Sequence, residues 1–260
     1  MSLESLASRE ARKEYLLMKK YFAVLVLVMA VSLSLSADIY VKQKSHSDAM
    51  AIMGQTQPAR DTVTEMWIGD DQFASFGGEG SVIIDLKKNV MYIINDKNKS
   101  YVEATLPVDF AKLLPPEAAA MAGMMKMTAT VNPTNDTKKI GQWNCTGYEM
   151  TLTMMMGITM KSKLWASTEV PFDVKSFMAK IMPNVFKGQM HLDDASVKEM
   201  LKINGFQIAT DMSAEIMGAK MHTTSEVIEI SKKTAPENVY SPPAGYAKKA
   251  TLSMEDLQKR

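Results

Sequence analysis

Residues 143–167, WNCTGYEMTLTMMMGITMKSKLWAS, carry a two-residue period twice in succession. In the first run Tyr148, Met150, Leu152, Met154 and Met156 alternate with Glu149, Thr151 and Thr153. Gly157 permits a turn. In the second run Ile158, Met160, Ser162 and Leu164 alternate with Thr159, Lys161, Lys163 and Trp165. Successive side chains of a strand point to opposite faces, so each run has one apolar and one polar face. The two together predict a hairpin in an antiparallel sheet with one face in water.

The same pattern extends outward. Strands are expected over 38–47, 62–68, 72–76, 82–86, 90–94 and 100–104. They are separated by turn clusters such as Asp70-Asp71, Gly77–Gly80, Lys87-Lys88-Asn89 and Asn95–Asn98. Between 107 and 125 the character changes. Asp109 is placed to cap a short helix over 110–114, Pro115-Pro116 breaks it, and the alanine-rich run after Glu117 restarts it. Helices are expected over 173–182 and 193–203, with Asp173 and Asp193 as N-caps and Pro183 and Asn204-Gly205 as stops. Strands follow at 206–212 and 220–230, then the proline-stiffened exit 241–246 and a loose terminal helix over 251–260. The expected class is α+β: an antiparallel sheet partly covered by short helices.

At the other end, Lys19-Lys20 precede the uncharged run FAVLVLVMAVSLSL, and Ser34, Ser36 and Ala37 then supply small residues before Asp38. This is the order of basic, apolar and cleavage regions in a secretory signal peptide. The apolar run is shorter than the roughly 20 residues a spanning helix needs. We therefore expect export to the periplasm or beyond, a natural start at Met18, cleavage near residue 37, and no stable membrane span afterwards. The expected organisation is an upstream stretch with leader over 1–37, one domain over 38–249, and a tail over 250–260.

Five of the 30 basic and three of the 29 acidic residues fall in 1–36, so the remainder carries net −1. Such a balance provides no footprint for nucleic acid. Cys145 is the only cysteine, so no intramolecular disulfide can form, and a lone thiol of this kind packs as a small hydrophobe.

Two stretches carry a resemblance. One is Lys138-Lys139-Ile140-Gly141-Gln142-Trp143-Asn144-Cys145-Thr146-Gly147-Tyr148, leading through the hairpin to Leu164-Trp165-Ala166-Ser167. The other runs from Gly205-Phe206 through Glu226-Val227-Ile228-Glu229-Ile230 to Ser241-Pro242-Pro243-Ala244-Gly245-Tyr246. Over residues 38–249 this order resembles a family of exported bacterial proteins of unknown function related to LolA-like lipoprotein carriers. The resemblance implies an antiparallel half-barrel, open on one side and partly covered by helices, with an apolar concave face. It implies no catalytic residue and no cofactor.

The expected function is that of a non-enzymatic envelope protein holding a lipid or other apolar ligand. Met150, Leu152, Met154, Met160 and Leu164 are the candidate ligand face. Methionine, present 24 times, suits adaptable apolar contact. Two alternatives stand beside this reading. Met121, Met124 and Met125 could ligate copper through soft thioether sulfur, or the protein could be a structural envelope module without a ligand. His46, His191 and His222 show no ligand spacing, so zinc is not expected. Catalytic signatures are missing as well: there is no G-x-S-x-G nucleophile elbow, and the glycines at 77–80 precede a strand rather than a phosphate-binding helix.

Overall fold

The computed structural model describes residues 37–52, 55–77, 80–119, 126–154, 157–216 and 218–253. The leader up to residue 36, Met121, Met124 and Met125, and residues 254–260 of the expected terminal helix lie outside these.

The strands are β1 (Asp38–Ser47), β2 (Met50–Ile52), β3 (Gln55–Gln57), β4 (Arg60–Ile68), β5 (Gln72–Gly77), β6 (Ser81–Asp85), β7 (Val90–Asn95), β8 (Ser100–Thr105), β9 (Met127–Ile140), β10 (Trp143–Met154), β11 (Thr159–Ser167), β12 (Phe206–Ile216), β13 (Ala219–Lys233) and β14 (Ala247–Lys249). A 3₁₀ turn spans Phe110–Leu113. The α-helices are α1 (Pro116–Ala119), α2 (Val174–Lys180), α3 (Met182–Gln189) and α4 (Asp194–Met200). Twelve strands form one sheet in the order β14-β8-β7-β6-β5-β4-β1-β13-β12-β11-β10-β9, and β2 and β3 pair separately. The neighbours in the large sheet are antiparallel except β14, which runs parallel to β8. β14 and β9 stand at opposite ends of the order, so the sheet is not closed into a barrel. The α+β class expected from the sequence holds at this level.

The predicted hairpin is present as β10 and β11, with Met150 opposite Ser162 and Leu152 opposite Met160. Strands β6 and β7 read as continuous apolar runs because both of their faces are covered. On one face Val82, Ile84, Met91 and Ile93 pack with Val174 and Phe177 of α2 and with Ile181 and Val185. On the other, Ile83, Tyr92 and Ile94 pack with Tyr40 and Trp67 under Val239, Tyr240 and Tyr246 of the chain's last turns. The Tyr240 hydroxyl donates to Asp38 Oδ2 at 2.9 Å and that of Tyr246 to Asp96 Oδ1 at 3.0 Å. Burial, then the Asp38 bond, pushes the Tyr240 phenol up, so this strap stays a donor at physiological pH.

Helix α2 is capped by Asp173, which accepts from the Ser176 N–H at 3.0 Å, and α4 by Asp193, which accepts from the Ser196 N–H at 2.8 Å. The single helix expected over 173–182 is followed directly by α3. Pro183 opens this helix, since a first turn tolerates a residue without an N–H. Gly205 lets the chain leave α4 towards β12 with φ +124°, where a Cβ would lie 2.7 Å from the Ser167 carbonyl carbon and oxygen.

Candidate functional site

The five residues expected to form an apolar ligand face occupy one side of the β10–β11 hairpin. Met150, Leu152 and Leu164 are buried; Met154 and Met160 are half-buried. Met150, Leu152 and Leu164 pack in one cluster with Ala129 and Val131 of β9 beneath Phe186 of α3 and Val197 and Met200 of α4. Helices therefore roof the middle of this face, and the residues act there as core.

An uncovered cleft of about 900 Å³ lies elsewhere. It gathers the end of β1 (Lys44 to His46), the start of β4 (Asp61 to Val63), parts of β12 and β13, Trp165 of β11, and the tip of the β9–β10 hairpin (Lys138 to Gly141). Register explains the grouping, since Lys44 lies opposite Val63 on one side and Glu226 on the other, and His46 opposite Asp61 and Thr224. Ile228 is the extra residue of a bulge where β13 passes β1. Val63 is 43% and Ile228 44% exposed, unusual values for large apolar side chains in regular strands. Trp165 is half-buried, with the Lys138 and Lys163 ammonium groups 5.8 and 5.1 Å from its ring centroid.

A chain of alternating carboxylates and imidazoles runs along the rim. His46 Nδ1 meets Asp61 Oδ1 at 2.6 Å and its Nε2 lies 3.3 Å from Asp48 Oδ1. Asp48 Oδ2 in turn meets His222 Nδ1 at 2.9 Å, and His222 Nε2 meets Asp211 Oδ1 at 3.0 Å. A carboxylate accepts only, so each ring satisfies both of its contacts only as the doubly protonated imidazolium. The Asp61 hydrogen bond, ahead of the nearby charges, holds the His46 pKa above its ordinary value. Hydrogen bonds from Asp48 and then Asp211 do the same for His222. With every ring nitrogen taken by a carboxylate, the chain is built as an ion-pair relay. Among the described residues no group of three or more His, Cys, Asp or Glu has the arrangement to hold a metal ion.

Sequence spacing does not reveal this cluster. His46 and His222 meet only because β1 and β13 are neighbours and because Asp48 follows directly on β1. Cys145, by contrast, is where its setting predicts, buried with its thiol pushed up by desolvation. No described helix is long and apolar enough to cross a membrane.

A family model described as "Domain of unknown function (DUF4412)" matches residues 41–246, which run from within β1 to Tyr246 of the C-terminal strap and take in all of the cleft. No match was found among the curated proteins.

Proposed function

We propose that the chain, which belongs to the family described as Domain of unknown function (DUF4412), is an exported, non-enzymatic binding protein of the cell envelope that holds an apolar ligand. The observation that carries this reading is the cleft. Val63 and Ile228 are two of the three large apolar side chains most exposed among the described residues, and both line it. Exposed apolar surface gathered in a concavity gains free energy when an apolar partner removes it from water. The kinship with LolA-like half-barrel carriers belongs to the same proposal. An unclosed antiparallel sheet with helices packed against one face supports it. The leader-like segment at 18–37 supports export.

Packing supports the cleft, rather than the hairpin face, as the place for the ligand. Met150, Leu152 and Leu164 already bury their surface under α3 and α4, so a ligand there would have to displace a formed core. The cleft requires no such displacement. The test is native mass spectrometry of protein purified from its own envelope. We expect a bound lipid or other apolar mass that is lost in the double variant Val63→Asp, Ile228→Asp. An unliganded protein, or a ligand retained by the double variant, overturns the reading.

A further inference from the structure

The proposal rests on the cleft as an apolar-ligand site and concerns what sits at the polar end of that ligand. We infer that the cleft takes an acid-headed amphiphile, whose acidic group is gathered by Lys44, Lys138 and Lys139 while its chain lies against Val63, Ile228 and Trp165.

The cleft carries cationic charge that no ion pair among the described residues neutralises. Three lysines line the cleft, and none of them makes an ion pair among the described residues. Lys138 rests instead over the Trp165 ring at 5.8 Å. Lys139 feels the field of Glu169, but that carboxylate is bound by the Asn144 main-chain and side-chain N–H groups, each at 3.1 Å. Of the acidic residues lining the cleft, Asp61 and Asp211 are engaged by His46 and His222, which leaves Glu226 opposite Lys44. With the His46 imidazole protonated, four cations line the cleft (Lys44, Lys138, Lys139, His46) against three carboxylates (Asp61, Asp211, Glu226), a net +1. Cations set beside an apolar wall are complementary to a carboxylate or phosphate on a hydrocarbon chain. A fatty acid and a phospholipid share that chemistry.

The experiment titrates the full-length mature protein with palmitate, palmitoyl lysophosphatidate and cetyl alcohol by calorimetry, beside the variant Lys44→Gln, Lys138→Gln, Lys139→Gln. We expect at least one acid to bind about tenfold tighter than the alcohol, the order that a few partly exposed charge pairs supply. The variant should lose that preference and keep its affinity for the alcohol, which also reports that it is folded. Whichever acid binds tighter names the head group. Equal binding of acids and alcohol by the unaltered protein, or a preference that survives in the variant, overturns the proposal and leaves the apolar site standing. Failure of all three probes to bind overturns both.

Discussion

His46 and His222 each spend both ring nitrogens on carboxylates, and Asp48 is shared between them. The shared residue makes a sharp prediction. In a proton NMR titration both imidazoles should titrate above the ordinary value of about 6.5. Asp48→Asn should lower both midpoints, whereas Asp211→Asn should lower that of His222 alone. Midpoints unmoved by Asp48→Asn would show that the relay is not formed. The sign for stability follows from linkage. A raised folded pKa contributes stability below the unfolded pKa, and that contribution is lost as pH rises through the folded one. Both rings are open to solvent, so the effect on folding is small; the effect on charge at the cleft rim is not.

At the scale of elements, β9 shows why some of the fold was hidden in the sequence. No strand was expected over 127–137, where Asn132, Pro133 and Asn135 oppose one, and the register against β10 breaks between Pro133 and Thr137. A proline is tolerated there because β9 is an edge strand and need not donate on its outer side. Helix α4 covers that edge at Ala129 and Val131, with Ser196 Oγ accepting from the Ala129 N–H at 2.9 Å and Glu199 Oε2 from the Val131 N–H at 3.2 Å. Such contacts are invisible to propensity because they join residues nearly 70 positions apart. Ser196→Ala leaves a buried N–H without its acceptor and should cost about 1–3 kcal/mol in urea denaturation, with faster hydrogen exchange confined to the Ala129 and Val131 amides. An unchanged stability would mean that α4 does not guard the edge. The β10–β11 hairpin was legible for the opposite reason: its alternation is local and its burial one-sided. The expectation for 38–47 matched β1 residue for residue.

At the scale of the molecule, the candidate site assembles from β1, β4, β11, β12, β13 and the β9–β10 tip, segments spread from Lys44 to Ile228. No spacing rule could have gathered them, whereas the apolar stripe of β10 and β11 was plain, and its Met150, Leu152 and Leu164 pack with residues of α3 and α4. What the assembly adds is a charge that depends on pH. Facing the imidazoles are Asp61 from β4, Asp211 from β12, Asp48 between β1 and β2, and Lys44, Glu226, Lys138 and Lys139 around the cleft. Counting Asp48 and His222 of the relay together with the lining charges, net +1 with both rings protonated becomes −1 once both have lost a proton. An anionic head group should therefore be held at mildly acidic pH and repelled as pH rises through the raised histidine values. Hexadecanesulfonate, whose own charge is fixed, isolates the protein's contribution. Its affinity should fall several-fold as pH rises from the ordinary histidine value of about 6.5 through the raised ones. Cetyl alcohol should bind evenly across that range. His46→Gln, His222→Gln should flatten the sulfonate profile at the weak, high-pH level, since the three rim aspartates would then be uncompensated at every pH. A profile unchanged by the double variant would separate the relay from ligand binding.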